Sequence, residues 1–305
     1  MRIGIVGAGA IGGWIAARLA LSGNLVMALT SRGPLDQIAI EDGGVSEAAE
    51  LDRFSGAADL LVIAVKAPSL AKAAEVAAPL IGPETIILPM LNGLPWWFTD
   101  GPPLSSVDPQ GALAEALPKG QVVGSVVHAS CRRDRPGRVI VVNADKLILG
   151  DPDGGTSQRV HRLCALFERA GIRPEPSNNI RRAIWYKLWG NATLNPLSAL
   201  TLATSDRLHS ELKPFQLACM AELAAVGEAI GCPVEESGED RMAVTARLGP
   251  FKTSMLQDVE AGRPIELEAL LGAPIELAHR HGVPVPLLES LYAMTRLMAE
   301  SKGLL

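Results

Sequence analysis

The stretch Gly7-Ala8-Gly9-Ala10-Ile11-Gly12 is a GxGxxG motif that follows a predicted strand, Met1–Val6, and opens a predicted helix, Ile11–Ser22. Its first glycine permits a tight turn, its second lets the backbone approach a pyrophosphate, and its third allows the helix to pack closely on the strand. The helix N-terminus also offers N–H groups to phosphates. A glycine-rich turn that binds nothing is the alternative, but the order of strand, motif and helix predicts a dinucleotide site.

Short apolar stretches alternate with helical ones through the first half of the chain. Strands are predicted at Asn24–Leu29, Asp59–Val65 and Thr85–Pro89, with an alanine-rich helix at Pro68–Pro79. The run Asp59–Val65 lacks polar alternation, which is typical of a strand buried on both faces. This β-α-β order predicts a Rossmann-type, doubly wound parallel sheet.

The pattern changes twice further along the chain. Gln121–Ser130, Gly137–Asn143 and Lys146–Leu149 are joined by short connections and predict an antiparallel extension of the same sheet. From Ile180 onward the sequence is helical with almost no strand pattern. We therefore predict an α/β fold with a nucleotide-binding domain at residues 1–176 and an all-α domain at residues 177–305. The cleft between two such domains is where an active site is expected.

Composition excludes several classes of partner. The chain has 28 basic and 33 acidic residues, a net charge of −5, and no long stretch that is rich in lysine and arginine. Nucleic acids and anionic membranes require a concentrated positive surface, so neither is expected as a partner. The four cysteines are dispersed and the five histidines lie in no ligand spacing, so no metal site is predicted.

The N-terminal stretch resembles a secretion signal only superficially. An apolar segment follows Arg2, but glycines interrupt it and Arg18 lies near its end. No uncharged apolar run reaches the roughly 20 residues that a membrane span requires. We expect a soluble, cytoplasmic protein. Its apolar C-terminal helices are compatible with packing inside one subunit or across a homodimer.

The end of the second predicted strand indicates which dinucleotide is bound. NAD-binding proteins place an acidic residue there to accept hydrogen bonds from the ribose. This chain has Thr30-Ser31-Arg32 and no acid before Asp36. The guanidinium of Arg32 can bind the 2′-phosphate of NADP through charge-assisted hydrogen bonds. The alternative is that Arg32 is a solvated surface residue without a binding role. The sequence favours NADP(H), with Ser31 and Arg32 in the site.

A polar stripe marks the predicted helix that begins the second half. Lys187, Asn191 and Asn195 are spaced four apart, so they share one helix face before Pro196 disturbs the helix. Such a face is either an exposed polar stripe or a cluster directed into a cleft. Spacing alone leaves both interpretations open.

The residues around this stripe carry a family resemblance. The segment KLxxNxxxNPLSAL at 187–200 and GAGAIGG at 7–13 resemble the ketopantoate reductase (2-dehydropantoate 2-reductase) family. Three further segments agree in the same order along the chain, namely Val65-Lys66-Ala67, Asn92-Gly93, and Ser254–Asp258 followed by Gly262–Glu266.

The resemblance implies NADPH-dependent reduction of a 2-keto acid to a 2-hydroxy acid, with ketopantoate preferred. It implies that Lys187 is the general acid and that Glu266 contacts the substrate hydroxyl or Lys187. It also implies that Asn92, Asn191 and Asn195 position substrate and lysine, and that Ser254 binds the substrate carboxylate. Lys66 and Arg32 are expected at the adenosine phosphate end of the cofactor, and Asn92 is included among the cofactor-binding residues.

Two departures from the family pattern concern the substrate. Trp96, Trp97 and Phe98 follow Asn92-Gly93 where smaller residues are usual, and Ile265-Glu266-Leu267-Glu268 replaces the common Thr-Glu-Ile-Asp. The tryptophans either pack structurally or line the substrate pocket. Two alternatives therefore remain. One is a family member that reduces a different, bulkier 2-keto acid. The other, which does not depend on the tryptophans, is an NADP-binding sensor without turnover, although a sensor would not need Lys187 and Glu266 as a catalytic pair.

Overall fold

The computed structural model describes residues 1–305, which divide into two units. The first unit comprises Met1–Leu91 and Gly111–Ala183, and the second comprises Asn92–Gln110 and Ile184–Leu305. The segment that carries Asn92 thus groups with the C-terminal half of the sequence. A domain boundary between residues 176 and 177 remains our proposal.

The first unit contains all ten strands and four helices of the fold. The strands are β1 (Arg2–Val6), β2 (Leu25–Thr30), β3 (Gly33–Pro34), β4 (Gln37–Asp42), β5 (Val45–Glu50), β6 (Leu60–Ile63), β7 (Ile86–Pro89), β8 (Gly124–Arg135), β9 (Arg138–Gly150) and β10 (Pro174–Pro176). The helices are α1 (Ala10–Leu21), α2 (Leu70–Ala77), α3 (Ala112–Ala116) and α4 (Gln158–Arg169).

The Rossmann sheet has the strand order β3-β2-β1-β6-β7. Strands β2, β1, β6 and β7 are parallel, and the short β3 is antiparallel to β2. Ile3, Ile5, Leu60 and Val62 are fully buried, which accounts for apolar runs without alternation in the central strands. The chain passes from β1 to β2 on one side and later to β6 on the other, so the carboxyl end of β1 is a topological switch point. The Rossmann prediction is confirmed.

The predicted antiparallel strands form, but they belong to a second sheet. Strands β8 and β9 pair antiparallel over almost their whole length, and β9 also pairs in parallel with β4 and β10. A single isolated bridge between Ile87 and Val122 joins this region to the Rossmann sheet. The expectation that these strands extend the same sheet was wrong. The hairpin β4–β5, which we did not predict, supplies the parallel partner that β9 needs.

The second unit is helical. Its helices are α5 (Ile180–Thr201), whose first residues belong to the first unit, α6 (Ser205–Glu211), α7 (Lys213–Ala229), α8 (Gly238–Ala246), α9 (Ser254–Glu260), α10 (Ala273–Arg280) and α11 (Pro286–Lys302). A π-helical turn, Glu268–Gly272, directly precedes α10. The helical C-terminal prediction is confirmed. No helix of this set has both the length and the apolar character to span a bilayer.

Two features explain how α5 is held. Helix α5 continues through Pro196 to Thr201, although proline removes one backbone hydrogen bond, so the predicted disturbance does not end the helix. The buried side chains of Trp185 and Trp189 anchor it, and Trp189 Nε1 donates to the Met220 carbonyl oxygen of α7 over 2.8 Å. Tertiary packing therefore offsets the local cost of the proline.

Candidate active site

The GxGxxG loop has the shape that a bound pyrophosphate requires. Gly7 has a φ of +98°, and a Cβ there would lie 2.6 Å from the Ala64 carbonyl oxygen. A Cβ at Gly12 would collide with the Gly7 carbonyl oxygen, so both positions require glycine. At Gly9, by contrast, a Cβ would meet only the Gly7 carbonyl oxygen at 3.9 Å. Gly9 therefore faces open space into which a phosphate can approach the backbone.

Helix α1 begins directly behind this open space. Gly9 is its N-cap and makes no side-chain cap bond, and the first turn contains no acidic residue. The earliest intrahelical bond runs from Gly13 N to Gly9 O at 3.0 Å. The N–H groups of Ala10, Ile11 and Gly12 thus have no acceptor within the helix. This terminus is a suitable anion site, and the residues present fit a dinucleotide.

The end of β2 presents a cationic turn. Thr30 Oγ1 accepts a hydrogen bond from Arg32 N (3.1 Å) and donates one to the Gly33 carbonyl oxygen (2.8 Å). This turn leaves Ser31 and Arg32 exposed, and Arg32 makes no ion pair. Lys66 follows β6 and is partly buried. Because β2 and β6 flank β1 in the sheet, both cations lie at the edge formed by the carboxyl ends of the strands.

Lys187 of α5 is the most perturbed cation of the second unit. Burial lowers the pKa of its ammonium group from 10.5 to about 8, and the nearby Glu266 carboxylate partly opposes this shift. Removing a charge from water disfavours its charged form, whereas an opposite charge stabilises it. The result is a lysine that exchanges its proton near neutral pH, which suits a general acid.

Asn92 and Asn191 form a pair in the same unit. Asn191 Nδ2 donates to Asn92 Oδ1 over 3.3 Å. Gly93, next to Asn92, has a φ of +87°, and a Cβ there would overlap the backbone of Ala269. Leu94 N also donates to the Ala269 carbonyl oxygen at 2.9 Å. The segment that begins at Asn92 is therefore pinned against the π-helical turn, which fixes the asparagine.

Asn195 and Ser254 are placed differently from this pair. Asn195 is buried, at 4% exposure, whereas Ser254 is exposed as the first residue of α9. Thr253 caps α9 by accepting from Leu256 N over 3.2 Å, which leaves the Ser254 hydroxyl outside the cap. No hydrogen bond joins Asn195 or Ser254 to Asn92 or Asn191. The structure thus brings together Lys187 with Glu266 and Asn92 with Asn191, but forms no direct bond from the other two.

Three glutamates of one helical region have three different environments. The Glu266 carboxylate raises the pKa of Lys187 through its negative charge. Glu268, by contrast, accepts a hydrogen bond from the Tyr292 hydroxyl at 2.7 Å. Glu276 accepts from Ser105 N, Ser106 N and Ser106 Oγ at 2.6–3.0 Å and pairs with Arg280. The π-helical turn begins two residues after Glu266, and such turns are frequent at functional sites. Glu266 is therefore distinct from the other acids around it.

Two residues that the sequence analysis did not single out support the site. Asp258, at 4% exposure, accepts from Arg263 Nε at 3.0 Å, and its carbonyl oxygen accepts from Arg263 N at 2.9 Å. These bonds close the loop between α9 and Glu266. Glu276 in turn ties down the segment that carries Asn92. Asp258 lies in a segment that carries the family resemblance, but nothing in the sequence indicates its pairing with Arg263. For Glu276 the sequence shows only an acid four residues before an arginine, which is too common to be informative.

The aromatic residues after Asn92 are interior residues. Trp96, Trp97 and Phe98 are each 3% exposed, and the Phe98 and Trp185 ring centroids lie 6.3 Å apart. Trp97 Nε1 is buried without an acceptor. Their burial accounts for these large side chains as packing within the helical unit, so the structural interpretation of the tryptophans is the favoured one.

Family models cover both halves of the chain. The model "Ketopantoate reductase PanE/ApbA" matches residues 3–154, and "Ketopantoate reductase PanE/ApbA C terminal" matches residues 179–299. The chain belongs to the ketopantoate reductase family. It is therefore an oxidoreductase, and the resemblance drawn from its motifs is confirmed.

Three relatives of this ketopantoate reductase family member match it over almost its full length. A 2-dehydropantoate 2-reductase of Mesorhizobium japonicum is 38% identical, covering 99% of both chains. The solved structure of a candidate ketopantoate reductase from Ralstonia solanacearum is 43% identical, with a TM-score of 0.93, and covers 100% of this chain and 99% of that one. The 2-dehydropantoate 2-reductase of Methylococcus capsulatus is 30% identical, with a TM-score of 0.86, and covers 99% and 98%.

Proposed function

We propose that this family member reduces ketopantoate to pantoate with NADPH. The proposal rests on the environment of Lys187. Burial lowers the pKa of its ammonium group to about 8, while the Glu266 carboxylate stabilises the charged form. Reduction of a keto group creates negative charge on oxygen, and a proton donor that titrates near working pH is the group the reaction needs. The family membership of the chain supports the same chemistry.

Each catalytic residue has a defined task in this proposal. When bound, the reduced nicotinamide supplies the hydride that is added to the keto carbon. Lys187 Nζ donates its proton to the carbonyl oxygen as negative charge develops there, and Glu266 keeps the ammonium charged until that moment. We assign Glu266 a contact to the product hydroxyl as well, since a carboxylate accepts hydrogen bonds from hydroxyl groups.

Substrate binding is assigned to the asparagines and Ser254. Because Asn92 Oδ1 is engaged by Asn191, the amide nitrogen of Asn92 is left as a donor for an oxygen of the substrate. Asn191 and Asn195 lie on the Lys187 side of α5, where they orient the lysine and the substrate. Ser254 offers an exposed hydroxyl at the first residue of α9, which suits a carboxylate.

NADPH rather than NADH is favoured by the end of β2. Ser31 and Arg32 are exposed there, Arg32 makes no ion pair, and no acid is present to bind the ribose of NADH. With Lys66 following β6, two cations lie at this edge of the sheet, which suits the phosphate groups at the adenosine end of NADPH. Gly7, Ala8, Gly9, Ala10, Ile11 and Gly12 bind the pyrophosphate in this proposal, and Asn92 also contacts the cofactor.

The biological setting follows from this activity. An enzyme that makes pantoate acts in pantothenate biosynthesis, and we propose that it does so in the cytoplasm as a homodimer. Exposed apolar residues such as Met294 and Leu297 on α11 are compatible with pairing of two subunits.

The experiment that tests the proposal measures NADPH oxidation against a panel of 2-keto acids of increasing bulk. We expect kcat/KM for ketopantoate to exceed that for the other acids by at least about tenfold, a difference that pocket shape alone can supply. If a bulkier acid has a higher kcat/KM, that acid and not ketopantoate is the preferred substrate. NADPH binding without oxidation of any acid would instead indicate a sensor, and Lys187→Ala protein is the control for background oxidation.

A further inference from the structure

The π-helical turn before α10 contains a backbone carbonyl group that receives no hydrogen bond from its own helix. The N–H group of Ala273 donates to the carbonyl oxygen of Glu268, five residues back, and not to that of Ala269, four residues back. A second five-residue bond, to Ala269, would need a donor at residue 274, which is proline and has no N–H group. The carbonyl oxygen of Ala269 is therefore left for a partner outside the helix.

Pro274 lies at a position that a regular α-helix does not tolerate well. The backbone on its N-terminal side is helical, with φ and ψ of −57° and −49° at Gly272 and of −65° and −44° at Ala273. In an uninterrupted α-helix the proline ring would collide with the carbonyl group of Leu270, four residues back. A wider turn relieves this collision, so the proline accounts for the π-helical geometry that precedes it.

The segment that begins at Asn92 uses the carbonyl group that the turn leaves over. Leu94 N donates to the Ala269 carbonyl oxygen over 2.9 Å. Gly93 permits this approach, because a Cβ there would lie 2.4 Å from the same oxygen atom and because its φ of +87° favours glycine. Leu94 and Ala269 are each only 2% exposed, so water does not compete for the bond. The backbone is thereby fixed two residues after Asn92.

Other contacts between this segment and the helix lie farther from the asparagine. Glu276 and Arg280 of α10 form hydrogen bonds with backbone groups within residues 102–106. These bonds hold the later part of the segment, whereas the bond from Leu94 lies beside Asn92. The π-helical turn and α10 therefore hold the segment at two places, and the first of these is the one that affects the asparagine.

We propose that Pro274 is a positioning residue for the reduction. It denies the Ala269 carbonyl oxygen a donor within the helix, so that Leu94 N binds there and Asn92 is held with its amide nitrogen directed to the substrate. The side chain of Pro274 is buried, so it acts through Leu94 and Asn92 and not by binding a ligand. This inference rests on the proposed function, which assigns Asn92 to the substrate.

Pro274→Ala is the direct test, because alanine restores an N–H group and is favoured over proline in a helix interior. We expect the turn to relax toward an α-helix, in which Ala273 N donates to the Ala269 carbonyl oxygen and Leu94 N loses its acceptor. Amide exchange at Leu94 in the free enzyme should then accelerate by about tenfold or more, as expected for the loss of one hydrogen bond. Unchanged exchange at Leu94 would overturn the proposal.

Kinetics and thermal unfolding separate positioning from a purely structural role. In Pro274→Ala, kcat/KM for the preferred 2-keto acid should fall by about 10- to 100-fold, mainly through a higher KM, while the Tm stays the same or rises. A purely structural role predicts the reverse, a lower Tm with unchanged kinetic constants of the folded enzyme. Pro286→Ala, at the exposed first residue of α11, is the matched control and should change neither KM nor exchange at Leu94.

Failure of this proposal differs from failure of the proposed function. If Pro274→Ala accelerates exchange at Leu94 but keeps the wild-type kcat/KM, the turn shapes the segment without positioning Asn92, and the proposal is overturned while the reductase activity stands. If the wild-type enzyme reduces no 2-keto acid, the proposed function fails, and the positioning role is overturned with it.

Discussion

Asn191 of α5 donates a hydrogen bond to Asn92 Oδ1 over 3.3 Å, although 99 residues separate the two along the chain. The bond joins the middle of a long helix to a segment that the chain contributes to the helical unit from far upstream. It fixes the amide of Asn92 with its nitrogen available as a donor. The two asparagines, which are far apart in the sequence, therefore form one hydrogen-bonded pair that can bind the substrate.

A double-mutant cycle measures this pair. Asn92→Ala and Asn191→Ala should each lower kcat/KM for the keto acid, and the double variant should lose less than the sum, with a coupling of about 0.5–3 kcal/mol. Asn195 forms no hydrogen bond with Asn92, so the cycle of Asn92→Ala with Asn195→Ala is the control and should be close to additive. Additive losses in the first cycle would mean that the two asparagines act independently.

Removal of Lys187 tests the general acid. Lys187→Ala should lower kcat by about two to four powers of ten, because protonation of the developing alkoxide loses its donor. The affinity for NADPH should change little, as measured by fluorescence titration. Lys252→Ala is the matched control, since Lys252 is exposed and pairs only with Glu260, and it should keep full activity. A Lys187→Ala enzyme with near wild-type kcat would remove the lysine from the mechanism.

The pH dependence of turnover should follow Lys187. Its ammonium pKa is about 8, so kcat should fall about tenfold per pH unit above that value as the acid loses its proton. Glu266 raises the lysine pKa, and Glu266→Gln should therefore move the alkaline limb to lower pH. Glu268→Gln on the same helical region, where the acid binds Tyr292, should leave the limb in place. Identical profiles for the two variants would show that Glu266 does not act on the lysine.

Arg32 tests the choice of cofactor. Arg32→Ala should raise the Kd of NADPH by about ten- to a hundredfold, as expected for loss of one charged hydrogen-bonding partner, and should hardly change that of NADH. Arg53→Ala is the control because Arg53 is an exposed arginine of the same unit that pairs with Asp36. If Arg32→Ala raises the Kd of NADPH and of NADH equally, Arg32 does not bind the 2′-phosphate and contributes only a general electrostatic attraction.

Glu276 should control the order of the segment that carries Asn92. Burial opposes its ionised form, but hydrogen bonds from Ser106, Ser105 and Arg280 outweigh burial and lower its pKa from 4.5 to about 2. Glu276→Gln should accelerate amide exchange at Ser105 and Ser106 by about 10- to 100-fold near neutral pH, the loss of about 1.5–3 kcal/mol.

The sign of the pH effect follows from that lowered pKa. The ionised carboxylate stabilises the fold above about pH 4.5, and this contribution is lost as pH falls toward about 2. The difference between wild type and Glu276→Gln should therefore shrink in acid. Glu289→Gln, at an exposed acid that pairs with His279, should not change exchange at either serine. Unchanged protection in Glu276→Gln would mean that other contacts hold the segment.

The sequence by itself determined the Rossmann sheet, the helical second half and the family. These follow from local patterns, each of which is contained in a short stretch of sequence. The patterns are the GxGxxG turn, the fully apolar strands and the polar residues spaced four apart. Arg32 could be named from its place after a strand, and Lys187 from its place in a long motif. The chemistry of each residue type was sufficient to propose its role.

Only the tertiary structure decided where distant segments meet. The β4–β5 hairpin pairs with β9 and creates a second sheet, since strand pairing depends on partners that local propensity does not specify. The sequence allowed Trp96 and Trp97 to be either packing or pocket residues, and their burial favours packing. The lowered pKa of Lys187 and the bond between Asn191 and Asn92 arise from burial and from neighbours far along the chain, and these are properties of the folded state.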